Sequence, residues 1–323
     1  MYQMMSLPLY SGTLGEYNSW RDLGQELERL GCDGIEGVWG GEDLPKDLPA
    51  ELILGYHLIF YPDWLDFYRD DRAALKQKFG SLEVTASFYG GLGPDTLLEQ
   101  YRADLRRAVN LGARYVVFHV SDVSLEEGYT YRWLHTNQEV IDAAVEVVNL
   151  ILGEERWPFE FLVENQWWPG FTFTEPEETA RLLEGIRFAG KGILLDTGHL
   201  MNACTELKTE AEGADYIRRM LNRHGSLAKW VRGVHLHQSL SGAYVKAHTG
   251  SLPAGLPEDY MERFGVSYQH ILQIDQHRPW TDPAILPVLE QIEPRYLTHE
   301  LSSRGRMARA EAVSVQTRLL QQG

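Results

Sequence analysis

Short apolar runs rich in branched residues alternate along the chain with segments of helical period. That order predicts a parallel sheet wrapped by helices. The runs place strands at 7–9, 34–39, 52–59, 115–120, 159–164, 192–196, 233–237 and 295–300. Eight runs with no linker between them predict one closed (β/α)8 TIM barrel, a single domain over 1–323. The first run is short and carries Pro8. Between the strands, Leu98, Tyr101, Leu105 and Ala108 form one helical stripe closed by Gly112, and Ile141, Ala144, Val145, Val148 and Leu152 form another ended by Gly153. Thr174-Glu175-Pro176-Glu177 reads as a capping box ahead of Ala180, Leu183 and Ile186. The last segment, 306–321, reads as a polar-faced helix. The long connections, 60–93, 121–135 and 238–281, all follow strands, and in an α/β barrel such loops lie on the face where sites are built. The stretch 238–281 is expected to act as a lid.

Buried parallel strands should read as unbroken apolar runs. Six of these end otherwise: Tyr56-His57, Phe118-His119, Val163-Glu164, Leu195-Asp196, Val234-His235 and His299-Glu300. Alone, a strand-end histidine is more often structural, and a strand-end carboxylate as often caps the next helix. Together they would face one small volume, which predicts a metal site. In His235-Leu236-His237 the period of two puts both imidazoles on one face. In Asp196-Thr197-Gly198-His199 the turn returns His199 to the same mouth. Imidazole and carboxylate donors suit zinc, manganese, cobalt or iron(II) better than magnesium, in one to three ions.

Composition narrows the reading without redirecting it. A chain of 323 residues buries a large core unaided. Cys32 and Cys204 are the two cysteines, far apart, which suits a reducing compartment and excludes a structural thiolate zinc site. The start, MYQMMSLPLYSG, lacks the basic residues and long apolar run of a secretory signal, and no stretch is apolar enough to span a membrane, so a cytoplasmic protein without membrane contact is expected. A net charge of −16 argues against a broad basic groove for nucleic acid, although bound cations reverse the sign locally.

The strings GIEGVW, VENQ, LLDTGH, GVHLHQ and THEL, spread from Gly34 to Glu300, resemble the xylose-isomerase-like barrels, a superfamily of sugar isomerases and epimerases that includes endonuclease IV. For the epimerases, the resemblance implies metal ligands Glu164, Asp196, His235 and Glu300, with His199 beside the substrate and the two glutamates exchanging a proton through an enediolate. These epimerases carry an arginine six residues beyond the strand-seven ligand, where this chain has Ser241. For endonuclease IV, it implies a three-zinc cluster on His57, His119, Glu164, Asp196, His199, His235, His248 and Glu300. The aspartate expected two residues before His248 falls at Lys246. A charged lysine cannot replace a carboxylate ligand.

Other residues keep more than one reading. Trp167 and Trp168 suit stacking on a sugar or base, or simple packing. His237 is a ligand, a supporting partner or a substrate contact. Glu36 faces the mouth by the resemblance, or forms a buried ion pair. Lys246 suits a substrate phosphate or carboxylate, or plain solvation. His224, His270 and His277 are expected at the surface, and Cys204 in packing. The reading that follows is a metal-dependent isomerase or epimerase of a sugar or sugar phosphate, with Glu164 and Glu300 as acid and base. The alternatives are an endonuclease IV-like zinc phosphodiesterase, under which alone nucleic acid is a partner, and a non-catalytic sugar-binding barrel. A homo-oligomer is compatible with all three.

Overall fold

The computed structural model describes residues 1–322. Among them, eight strands close into a barrel in chain order: β1 (Tyr2–Leu9), β2 (Gly34–Trp39), β3 (Ile53–His57), β4 (Tyr115–His119), β5 (Glu160–Glu164), β6 (Lys191–Asp196), β7 (Val231–His235) and β8 (Tyr296–His299). Every neighbouring pair is parallel, and β8 closes onto β1. β1 is longer than its apolar run suggests, because pairing on both sides fixes Tyr2–Ser6 as well. β7 and β8 end early, so His237 and Glu300 sit on the first turn beyond the sheet.

Side-chain alternation divides each strand between two cores. Outward residues such as Val116, Phe161, Ile193 and Val234 join the large core under the helices. Met4, Leu54, Tyr115, Val117, Leu162, Leu194 and Tyr296 form a separate apolar cluster that fills the barrel. Tyr115 stands opposite Gly55 in the β3–β4 register, and a Cβ on Gly55 would collide with its ring. The glycine therefore lets a large phenol cross the interior.

The predicted stripes are buried on the helices Pro94–Asn110 and Asn137–Leu152. Gly112 adopts φ +74° where the first of these turns into β4. The capping box at Thr174 does not form. The helix Pro176–Gly185 starts one residue later, with Glu175 as an N-cap that makes no side-chain bond, and Thr174 pairs with Thr172 instead. The connection 60–93 is mostly helical, with short helices Leu65–Tyr68, Arg72–Phe79 and Leu82–Tyr89. The segment 238–281 carries helices Gly242–His248 and Tyr260–Ile274, and its base is closed by an antiparallel bridge between Gln238 and Arg278. Asp104, fully buried, accepts from Tyr56 Oη (2.6 Å) and from Ile59 N (2.6 Å) and pairs with Arg107, which fixes the chain on both sides of His57. Among the described residues, no helix is long and apolar enough to cross a membrane.

Overpacking a filled barrel costs about 1–3 kcal/mol. Gly55→Ala should therefore lower unfolding stability by about that amount in chemical denaturation, whereas Gly41→Ala, where nothing lies within 4 Å, should lose only what its φ of +84° demands.

Candidate metal centre

Closure of the barrel turns six scattered strand ends into neighbours. His57, His119, Glu164, Asp196, His235 and Glu300 all meet at its C-terminal mouth, joined by His199 from the helix Thr197–Asn202 and by Asp275 and His277 from the far end of the 238–281 segment. They form three groups: His57, His119 and Glu164; Glu164, Asp196, His235 and Glu300; and His199, His237, Asp275 and His277. Within each group, one donor atom per residue lies within 4.8 Å of all the others.

Glu164 belongs to two of the groups. Its Oε2 lies 3.3 Å from His57 Nε2 and 3.1 Å from His119 Nε2, and its Oε1 lies 3.2 Å from His199 Nδ1 and 3.5 Å from His235 Nδ1. Most of the rings are oriented by a second contact. His57, His199 and His277 each direct Nδ1 at a backbone carbonyl, of Leu58 (2.8 Å), Asn165 (3.0 Å) and Glu300 (3.1 Å). Donation there leaves Nε2 with its lone pair, the usual arrangement for a metal-binding histidine. His235 is reversed: Nε2 lies 2.8 Å from Glu36 Oε1, and Nδ1 faces Glu300 Oε2 at 2.9 Å. Glu36, fully buried, also accepts from Tyr115 Oη (2.6 Å) and Thr298 Oγ1 (3.0 Å). Glu36 therefore stands inside the barrel as a buried partner of His235.

The donor set fits divalent cations. Both oxygens of Glu164, His235 Nδ1, His237 Nδ1, Asp275 Oδ1 and Glu300 Oε2 are buried without a hydrogen bond of good geometry, and orphaned buried polar atoms are otherwise rare. His57 Nε2 and His119 Nε2 stand 3.0 Å apart, a distance two lone pairs tolerate only with a proton or a cation between them. Burial opposes every charge here, yet opposite charges prevail at most positions. Against burial, the imidazoles of His119 and His235 hold the Glu164 carboxyl well below the usual range. Against burial again, Asp196 and Asp275 hold His199 well above its ordinary value, and Asp275 and Glu300 push His277 up to about 9. At His119 burial wins and the pKa falls.

Several expectations require correction. His248 is exposed, stacked on Tyr244 with ring centroids 4.1 Å apart, and is in none of the three groups. Lys246 is exposed and pairs with Glu206 at 2.7 Å. The Asp-x-His spacing sought at Lys246 and His248 occurs at Asp275 and His277, beyond two helices. His277 is therefore not a surface residue, and neither are His224, stacked on Phe173, and His270, stacked on Tyr129. Trp167 and Trp168 are not open stacking platforms. They pack on each other and, with Val123, Val245 and Ile274, form a small core, with Trp167 reaching the His199 ring. Ser241, where the epimerases carry an arginine, donates to Asn202 Oδ1 at 2.6 Å. Cys204 packs at the edge of the main core. A cavity of about 820 Å³ beside the helix Tyr260–Ile274, lined by Lys78, Tyr129, His135 and Ser267 among others, includes none of the donors.

Comparison with known proteins places this geometry in a family. No curated protein matches the sequence. Solved structures do: a D-tagatose 3-epimerase-like protein (TM-score 0.53, 15% identity, 99% of this chain and 97% of that one), endonuclease IV from Thermus thermophilus (0.51, 17%, 100% of each) and mannonate dehydratase from Streptococcus suis serotype 2 (0.53, 13%, 99% and 93%). At such identities the likeness shows the fold. The family model described as the xylose isomerase-like TIM barrel matches residues 25–288, most of the sequence. The chain belongs to the xylose isomerase-like TIM barrel family.

Proposed function

We propose that this protein is a metal-dependent hydrolase of phosphate esters, whose three donor groups would each hold a divalent cation, with Glu164 common to two of them. The position of Glu164 carries the reading. An acid/base glutamate needs an oxygen free to reach a substrate C–H, whereas both oxygens here are buried among four imidazoles. A carboxylate so placed is suited to bridge two cations. The epimerase reading asks this same residue to act as a base on one side of a sugar, and the expected anchoring arginine is absent. Glu300, the partner acid in that reading, lies with Oε2 against His235 Nδ1.

Bound divalent ions supply Lewis acidity toward an ester oxygen and make water a nucleophile near neutral pH. The chain's own residues do the rest. His57, His119 and Glu164 would hold one ion, and Asp196, His235 and Glu300, with Glu164, would hold the next. Glu36 fixes the His235 ring. Glu300, about a fifth exposed in its side chain, would be the ligand at the mouth, with Oε2 turned to His235 Nδ1. The acidic balance of the chain favours a small phosphate ester over a nucleic-acid polymer.

Several outcomes test the reading. Zinc or manganese should confer hydrolysis of bis(p-nitrophenyl) phosphate or p-nitrophenyl phosphate, and a chelator should remove it. Solvent deuterium entering a ketose, with no phosphate ester cleaved, would reject hydrolysis in favour of the epimerase. Glu164→Gln should release two ions per chain by elemental analysis, where a single-metal site predicts the loss of one. Protons compete with cations for the imidazoles, and the raised pKa values of His199, His235 and His277 mean that these rings hold protons in the metal-free protein at neutral pH. Metal uptake must expel them, so zinc affinity should fall on acidification from pH 8 to pH 6, by about tenfold per pH unit for each proton displaced, as read by isothermal titration.

A further inference from the structure

The three donor groups differ in a way that bears on their roles. The first has three candidate protein ligands, His57, His119 and Glu164; the second has four but shares Glu164 with the first; the third has four of its own, His199, His237, Asp275 and His277. Four-coordinate zinc with four protein ligands has no place left for water or substrate, and such sites are structural. A position with three protein ligands keeps one vacancy, the arrangement of catalytic sites.

His237 decides whether the third group is closed. It is fully buried, and its Nε2 lies 2.8 Å from Asp196 Oδ2. Donation of Nε2–H to that carboxylate leaves Nδ1 as an unprotonated acceptor, and Nδ1 is buried with no partner. The ring lies flat against His277, with centroids 4.0 Å apart and planes 9° apart, and edge-on to His199 at 5.7 Å. Gly198 makes this placement possible, since a Cβ there would collide with the His237 ring. The other two contributors, Asp275 and His277, come from the base of the 238–281 segment, next to the Gln238–Arg278 bridge.

We infer that His237 is the fourth ligand of the third position, through Nδ1, and that the ion held there is structural, fastening the base of the 238–281 segment to the barrel, while chemistry belongs to the pair of positions that share Glu164, the first of which keeps a vacancy. This rests on the reading of the centre as a multinuclear metal site, but not on which ester, if any, it cleaves.

The alternative role for His237 is support of Asp196 alone. His237→Gln separates the two, because the amide still donates to Asp196 but is a poor zinc ligand. Zinc-loaded protein is dialysed against a graded series of chelator concentrations and the remaining zinc counted. Wild type should retain one ion after two have left. His237→Gln should lose that ion with an affinity drop above the roughly 10–100-fold that removal of an outer hydrogen-bond partner costs. Asp275→Asn should lose the same ion. Limited proteolysis within 239–277 should accelerate in both variants while their thermal unfolding remains cooperative. Simultaneous release of all ions from wild type overturns the proposal, as does a His237→Gln variant that keeps the retained ion. If zinc behaves as expected while no phosphate ester is cleaved, the proposed activity fails and this assignment stands. A protein that takes up no zinc fails both.

Discussion

Closure of the parallel sheet is the constraint on which everything else rests. Side chains in a strand alternate faces, so once eight strands surround one axis, every second residue points inward and the last of each points to a common mouth. The chain uses these layers for different purposes. The lower ones are apolar, around Tyr115 and Tyr296. The top one consists almost wholly of ionisable groups. Between them sits Glu36, whose bonds to Tyr115 and Thr298 join the packed interior to the His235 ring. The rigidity of the plug is thereby passed to a donor at the mouth.

The cost of this arrangement is a concentration of charge that burial opposes. Carboxylates such as Glu164 and Asp275 stay ionised only because imidazoles stand beside them, and the imidazoles hold protons only because of the carboxylates. Such a set is balanced by protons or by cations, and the backbone carbonyls behind His57, His199 and His277 orient the rings for the second case. Several buried polar atoms without partners belong to this one cluster, and such groupings mark functional sites more often than stabilising ones.

The barrel and the first two donor groups were legible in the sequence because each ligand interrupts an apolar run, and interruption is visible without a structure. His57, His119, Glu164, Asp196 and His235 all end a strand or directly precede a turn. The third group was only half legible. His199 and His237 follow strand ends closely, but Asp275 and His277 lie some forty residues beyond β7, after two helices that nothing in the local pattern requires. The Asp-x-His pair that the resemblance implies near β7 falls on Lys246 and His248, which occupy the first of those helices. Asp275-Gln276-His277 had the right spacing all along. What hid it was chain distance, which the Gln238–Arg278 bridge cancels in space. Trp167 and Trp168 misled for a different reason: large aromatic residues beside a site read alike whether they face a ligand or, as here, one another.

That same bridge has a consequence for how such a protein can change. Two hydrogen bonds, Gln238 N to Arg278 O (2.8 Å) and Arg278 N to Gln238 O (3.1 Å), bring the two stems of the excursion together just outside the ligands it delivers. The stretch between them is thermodynamically insulated, since lengthening a closed loop costs only logarithmically in entropy. Its exposed turn between the two helices, 249–259, can be rebuilt, extended or trimmed by evolution without disturbing Asp275 and His277. The architecture thus separates a variable turn from a fixed root, and new selectivity can be grafted on the former while the donor cluster is inherited intact.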